Sequence, residues 1–178
     1  MRYCSECGAP VTTRVPAGDN LPRQVCERCN TIHYVNPKIV TGCVLTHENR
    51  LLLCRRAIEP RRGYWTVPAG FLECHESMAD GAAREAWEEA LATVELEALF
   101  AVINVLHMGQ VHVMYRGTLV GGRHAPGPES LETMLVGIDE IPWHDLAFPS
   151  VRFTLERFCE DLRSGSFGLH ETSFDAGP

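Results

Sequence analysis

The distribution of apolar residues divides the chain into two parts. Residues 1–35 hold few large apolar side chains and many turn formers, so this segment cannot bury enough apolar area to fold without an internal crosslink. From Lys38 onward, apolar runs alternate with turn residues. Residues 38–46 and 50–57 predict two β-strands, joined by a hairpin turn at residues 47–49.

The rest of the second part predicts a mostly β domain with two helices. Residues 77–90 form the clearest helical pattern, with Ser77 as N-cap and an alanine-rich interior. A second amphipathic helix is predicted over residues 150–163. Further strands are predicted at residues 64–68, 93–107, 111–120 and 133–139. The fold class is therefore α+β, with a small module at 1–35, a main domain at 36–165 and a C-terminal tail at 166–178.

Composition and charge narrow the classes of function. The 178 residues include 16 Lys and Arg against 23 Asp and Glu, a net charge of −7, which makes nucleic acid an unlikely main partner. No run approaches the ~18 apolar residues of a membrane span. The first residues show no signal-peptide pattern, so we expect a cytoplasmic protein without a membrane partner.

Four of the eight cysteines form two closely spaced pairs. Cys4 and Cys7 are followed, after 18 residues, by Cys26 and Cys29. Two CxxC turns at this spacing predict a tetrahedral structural Zn²⁺ site with no open coordination position. A redox pair or cysteines buried in a core are the alternatives, and His33 is a weaker competitor as a ligand.

Carboxylates are concentrated on one face of the first predicted helix. Glu85, Glu88 and Glu89 fall within a sector about 100° wide, and no lysine occurs between residues 70 and 126 to compensate them. Uncompensated carboxylate oxygens suit a hard divalent cation. A solvated acidic helix face is the alternative interpretation.

These glutamates belong to a longer pattern, G-x5-E-x7-R-E-x-x-E-E, which resembles the signature of the Nudix hydrolase family. The matching residues are Gly70, Glu76, Arg84, Glu85, Glu88 and Glu89. Leu91 stands where the family has a glycine that ends the helix in a left-handed conformation, which leaves the geometry of the helix exit open. The resemblance implies a Nudix α/β/α sandwich, with a mixed sheet between helices, and an appended N-terminal zinc ribbon.

The resemblance also implies a metal-dependent active site. Glu85, Glu88, Glu89 and the carbonyl of Ala69 would bind Mg²⁺ or Mn²⁺, which activates water and neutralises phosphate charge. Arg84 and Glu76 would support these ligands. The general base would come from a loop outside the signature. The candidates for the general base are Glu132 and, less favoured, Glu129. The candidates for stacking on a nucleobase are Tyr64 and Trp65, although Trp65 suits a core position equally well.

The implied activity is cleavage of the diphosphate of a dinucleotide or another nucleoside diphosphate derivative. Residues 125–132 and 139–142 resemble a plant plastid branch of the family that cleaves FAD, so FAD hydrolysis to FMN and AMP is the preferred prediction. ADP-ribose and NADH are the alternatives, and the proline- and tryptophan-rich array of the NADH branch is missing. A non-catalytic module that senses a nucleotide and contacts DNA or protein through its ribbon is the alternative from another class. A homodimer is also expected.

Overall fold

The computed structural model describes residues 1–175 and contains two compact units, Met1–Asn36 and a second that begins at Pro37. Residues 176–178 of the expected C-terminal tail lie outside the described residues. The first unit contains β1 (Val11–Arg14), β2 (Arg23–Cys26) and β3 (Ile32–His33). The second contains β4 (Lys38–His47), β5 (Arg50–Arg56), β6 (Trp65–Thr66), β7 (Ala69–Phe71), α1 (Met78–Ala90), β8 (Val94–Val105), β9 (Gln110–Leu119), β10 (Ser130–Val136), α2 (Pro149–Ser164) and β11 (His170–Phe174).

The first unit is an antiparallel sheet in the order β1-β2-β3 with two cysteine-bearing turns. In each turn a backbone N–H returns to the carbonyl of the first cysteine: Gly8 donates to Cys4 and Asn30 to Cys26, both at 3.0 Å. Gly8 and Asn30 both have positive φ, a conformation that glycine and asparagine adopt at low cost. The two turns therefore have the same geometry, and each brings two thiols to the same side.

The main sheet of the second unit has eight strands and is mixed. Its central order is β10-β5-β4-β9-β8-β11, while β6 pairs with β5 and β7 pairs with β4. β4 runs parallel to β9, and β11 runs parallel to β8, whereas the other pairs are antiparallel. β4 and β5 carry consecutive buried residues, as expected for strands that are covered on both faces.

The two helices cover opposite faces of this sheet. The alanines of α1 pack with Cys43, Leu45 and Leu52. Residues of α2, including Leu155 and Phe158, pack with Val44, Leu51 and Leu53 on the other side. Because neighbouring residues of a strand point to opposite faces, these two sets belong to different layers. The predicted α/β/α sandwich of the α+β class is confirmed.

Some elements differ from the sequence-based prediction. The sequence predicts one strand at residues 64–68, but only the two-residue strand β6 lies there, and the next strand, β7, begins at Ala69. The predicted tail contains β11, which aligns Phe174 with Val105 of β8. The sequence HETSF has no apolar run to indicate a strand, and its pairing partner lies far away in the chain. No helix within residues 1–175 is both long and apolar enough to cross a membrane.

Candidate active site

Helix α1 carries the three signature glutamates Glu85, Glu88 and Glu89. Ser77 caps the helix by accepting a hydrogen bond from the backbone N–H of Asp80 at 3.1 Å. Glu85 and Glu89 are only 8% and 6% exposed, whereas Glu88 is exposed. Two buried carboxylates on adjacent turns require compensation, because an ion removed from water is costly.

Burial dominates the acid–base properties of these two side chains. It raises the pKa of Glu89 to about 8, although the Ala69 N–H, which donates to Glu89 Oε2 at 3.1 Å, acts in the opposite direction. Burial also raises the pKa of Glu85, against hydrogen bonding from Arg84. A divalent cation would relieve the cost of both ionised carboxylates, so the donor set fits a hard metal ion.

Arg84 connects the carboxylates of the site. Its Nε and Nη2 donate to the two oxygens of Glu76 at 3.0 and 2.8 Å, a bidentate ion pair. Its Nη1 donates to Glu85 at 2.8 Å and to Glu88 at 2.9 Å. Hydrogen bonds from Arg84 and from the Glu73 N–H lower the pKa of Glu76 to about 2. One guanidinium thus compensates part of the charge of three carboxylates, and the site stays negative.

The ligand atoms of the three signature glutamates do not converge on one point in this structure. Within residues 1–175, the cysteine cluster is the only group of three or more potential ligand atoms that all lie within 4.8 Å of one another. Arg84 Nη1 lies between the carboxylates of Glu85 and Glu88. Coordination of one cation by all three glutamates therefore requires at least one of their side chains to rotate.

Two glycines allow the close approach of neighbouring segments to α1. A Cβ at Gly70 would lie 2.3 Å from Glu85 Oε1, so only glycine leaves room for that carboxylate against β7. A Cβ at Gly127 would lie 1.7 Å from the carbonyl oxygen of Glu88. The N–H groups of Ala125 and Gly127 donate to the carbonyls of Ala90 and Glu89 at 2.8 and 3.0 Å. The loop of residues 121–129, rich in Gly and Pro, thereby satisfies free carbonyls at the end of α1.

Leu91 ends helix α1 in the left-handed conformation, with φ 47° and ψ 33°. Its N–H donates to the Trp87 carbonyl at 2.8 Å, and the Ala92 N–H donates to the Ala86 carbonyl at 3.2 Å. The helix exit therefore has the geometry expected of a glycine. A side chain in this conformation costs about 1–2 kcal/mol.

The two candidates for the general base lie in different environments. Glu129 is the last residue of the loop attached to α1 and lines the cavity beside the signature glutamates. Its charge adds to the effect of burial in raising the pKa of Glu85 and Glu89. Glu132 lies within β10, outside the cavity lining, and pairs with Arg55 at 3.2 Å. The sequence-based preference for Glu132 is therefore not supported by the geometry, which favours Glu129.

A cavity of about 960 Å³ opens beside Glu85, Glu88 and Glu89, which together form the acidic cluster. Ala69 and the three signature glutamates line one end of it, and apolar side chains line most of the remainder. Arg56 also lines it: its guanidinium lies 5.1 Å from the centre of the Phe148 ring, and its Nε donates to the Pro60 carbonyl at 2.8 Å. Arg56 was not among the residues predicted from the sequence, because its only signal is its place at the end of an apolar strand.

The aromatic residues at the cavity differ from those expected. Tyr64 and Trp65 do not line it: Trp65 packs against the main core, and the Arg61 guanidinium covers the Tyr64 ring at 5.4 Å. Phe71 and Trp87 line the cavity instead and are 51% and 55% exposed. Trp87 is exposed because the face of α1 opposite the buried alanines points to solvent.

The four paired cysteines converge as predicted. All four sulfur atoms lie within 4.8 Å of one another, with Cys4 and Cys29 3.6 Å apart and Cys7 and Cys26 3.5 Å apart. Tetrahedral Zn–S bonds of about 2.3 Å place sulfur atoms about 3.8 Å apart, so the cluster fits zinc. His33 Nε2 lies 3.3 Å from Cys4 Sγ, a hydrogen-bonding position beside the thiol rather than a place among the four sulfurs.

Two family models match the chain in adjacent segments. The model described as the Nudix N-terminal zinc ribbon matches residues 2–35. The model described as the NUDIX domain matches residues 36–155. Together they cover residues 2–155 and include the cysteine cluster and all the signature residues.

Individual proteins resemble this chain over different shares of its length. The crystal structure of a NUDIX hydrolase from Nitrosomonas europaea has a TM-score of 0.92 and 47% identity, over 98% of this chain and 100% of that one. The NAD-capped RNA hydrolase NudC of Vibrio atlanticus is 35% identical over 96% of this chain and 62% of its own length. An ADP-ribose pyrophosphatase of Methanocaldococcus jannaschii is 22% identical over 61% of this chain and 67% of its own length. The chain spans between 32% and 67% of the curated relatives that it matches.

Proposed function

Because the chain belongs to the Nudix hydrolase family, we propose that it is a divalent-metal-dependent pyrophosphohydrolase that cleaves a nucleoside diphosphate derivative. The observation that carries this proposal is the pair of buried carboxylates, Glu85 and Glu89, beside exposed Glu88 at one end of a large cavity. Such a pair is costly in a protein that binds no cation. A sensor of nucleotides would have no need to keep these three carboxylates together.

Glu85, Glu88, Glu89 and the Ala69 carbonyl are the groups that would hold Mg²⁺ or Mn²⁺. A divalent cation bound there supplies Lewis-acid neutralisation of phosphate oxygens and lowers the pKa of water. Arg84 fixes the position of Glu85 through its hydrogen bond at 2.8 Å and is itself anchored by the bidentate pair with Glu76. The Ala69 N–H orients Glu89.

The remaining steps use groups that line the same cavity. We propose that Glu129 accepts the proton of the attacking water as the water oxygen bonds to one phosphorus and the bridging P–O bond breaks. The bridging oxygen leaves with the other phosphate, so the products are two monophosphates. Arg56 lies close enough to the acidic end to lower the pKa of Glu89 against the larger effect of burial. Its guanidinium is suited to a phosphate oxygen of the substrate.

FAD is the proposed substrate, hydrolysed to FMN and AMP. The resemblance of residues 125–132 and 139–142 to the FAD-cleaving branch supports it, and a cavity of about 960 Å³ suits a ligand of dinucleotide size. ADP-ribose is the nearest competitor. A homodimer in the cytoplasm stays a prediction from the sequence.

NADH or a 5′ NAD cap on RNA is a second candidate substrate. The observation that favours it is the 35% identity to NAD-capped RNA hydrolase NudC over 96% of this chain. The expectation that nucleic acid is an unlikely partner is therefore weakened, although the net charge of −7 still argues against broad phosphate-backbone binding.

The test compares substrates under one set of conditions. Purified full-length protein is stripped with EDTA, reloaded with Mg²⁺ or Mn²⁺, and assayed by product chromatography against FAD, ADP-ribose, NADH and NAD-capped RNA. The ratio kcat/KM ranks them. Glu85→Gln is expected to lower kcat by orders of magnitude, whereas the exposed Glu95→Gln serves as the matched control.

Each outcome has a defined meaning. If ADP-ribose or NAD-capped RNA exceeds FAD by about tenfold in kcat/KM, corresponding to about 1.4 kcal/mol, the flavin assignment is wrong. If no diphosphate is cleaved with either metal, the enzyme proposal fails and the binding-module alternative takes its place.

A further inference from the structure

One face of the main sheet forms a continuous floor of the cavity, leading away from the acidic cluster. The pairing of the strands aligns Phe71 of β7 with Val40 of β4, and Val40 with His112 of β9. The next row aligns Gln110 with Val105. All five side chains line the cavity. Residues directly opposite one another across paired strands share a face, so these rows lie on one surface.

Apart from Gln110, the residues that neighbour the hydrogen-bonding His112 on this surface are apolar. Val40 and Val105 beside it are each 9% exposed, and Met114 of the same cavity lining is 2% exposed. His112 Nε2 lies 3.0 Å from Gln110 Oε1, so a neighbouring side chain sets the orientation of the imidazole. Burial lowers the pKa of His112, which keeps the ring neutral, with one donor and one acceptor nitrogen.

The distance between His112 and the acidic cluster is comparable to the distance between the phosphate and the ring of a nucleotide. Gly70 of β7 lies against Glu85, and His112 stands two strands away from β7. At about 4.8 Å per strand, that places it about 10 Å across the sheet. A sugar or sugar alcohol bridges a comparable gap between the phosphate and the ring of a nucleotide.

We propose that this surface binds the planar heteroaromatic ring of the substrate, with His112 hydrogen-bonding the edge of the ring and Val40 and Val105 packing against it. Phe174 extends the same surface, because β11 aligns it with Val105. The inference rests on the proposed function for the class of ligand, since the diphosphate would lie at the acidic end. Adenine and flavin share the ring chemistry, and the experiment separates them.

The experiment measures ring binding without turnover. Full-length protein in EDTA is titrated with riboflavin and with adenosine, which carry the rings without phosphate, by calorimetry and, for riboflavin, by fluorescence quenching. At least one compound is expected to bind, and the tighter one identifies the ring. His112→Ala is expected to weaken its binding about tenfold, while His112→Gln recovers part of the loss. His144→Ala, an exposed histidine outside the cavity, is the matched control.

The inference is overturned if neither compound binds, or if folded His112→Ala binds the ring as tightly as the unmodified protein. If circular dichroism shows that His112→Ala is unfolded, Gln110→Ala replaces it. This variant removes the group that orients the imidazole, and unchanged binding would equally overturn the inference. Because metal and diphosphate are absent, failure here leaves the hydrolase proposal intact. Conversely, ring binding without any hydrolysis would refute only the proposal that the protein is a hydrolase.

Discussion

Replacing Glu89 by Gln is expected to stabilise the metal-free protein while it abolishes hydrolysis. The carboxylate is 6% exposed and receives one hydrogen bond in the structure, from the Ala69 N–H. Glutamine keeps the volume and an oxygen that accepts this bond, but carries no charge. The substitution therefore separates the cost of burying an anion from the loss of shape.

The magnitude follows from the change in pKa. Burial raises the pKa of Glu89 from an ordinary 4.5 to about 8, so folding disfavours the ionised form. The penalty is absent below the unfolded pKa, grows as the pH rises above 4.5, and is complete above about 8. It reaches about 3 kcal/mol at pH 7 and about 5 kcal/mol at pH 9. Removing this penalty stabilises the variant, but the glutamine N–H₂ left without a partner reduces that stabilisation by about 1 kcal/mol.

The assay is thermal unfolding of the second unit between pH 5 and pH 9, in EDTA and then with excess Mg²⁺. In EDTA at pH 7, a net gain of about 2 kcal/mol raises the Tm of Glu89→Gln by about 6 °C. Mg²⁺ at a hundred times its Kd stabilises the unmodified protein by about 2.7 kcal/mol, and the variant by much less. The difference in stability between the variant and the unmodified protein is therefore expected to shrink or to change sign when Mg²⁺ is added.

Two results would refute this reasoning. The first is a Glu89→Gln variant less stable than the unmodified protein in EDTA at pH 8. The second is equal stabilisation of both proteins by Mg²⁺, since that would place the cation elsewhere. Glu95→Gln, an exposed carboxylate outside the cavity, is the control for the general effect of removing one negative charge.

Three further predictions concern other parts of the molecule. Glu129→Gln is expected to lower kcat more than Glu132→Gln in steady-state assays of the preferred substrate; the reverse order would restore Glu132 as the base. Gly70→Ala is expected to displace the Glu85 carboxylate, since the new Cβ would lie 2.3 Å from it, and to weaken Mg²⁺ binding in a calorimetric titration; unchanged affinity would contradict the packing argument. About one Zn²⁺ per chain is expected by elemental analysis, with Cys26→Ser destabilising the first unit more than it slows catalysis, and a zinc-free folded ribbon would exclude the site.

The sequence alone determined the features that depend on nearby residues. The periodicity of a helix places Glu85 and Glu89 on one face whatever surrounds them, and Ser77 caps its start. Each CxxC turn is a local structure, so the two cysteine pairs could be identified before the fold was known. The turn between β4 and β5 is also local, since Glu48 and Asn49 adopt the positive φ that a tight hairpin requires.

Only the tertiary structure decided which distant residues reach the site. Glu129 and Glu132 are three positions apart and chemically identical, but hydrogen bonds from the loop to α1 hold the first beside the cavity. The register of β10 against β5 instead places the second opposite Arg55. Similarly, the burial of Glu89 and the row that joins Val40 to His112 arise from strand pairing across the sheet. Such contacts depend on the packing of segments far apart in the chain, which no local pattern of residues encodes.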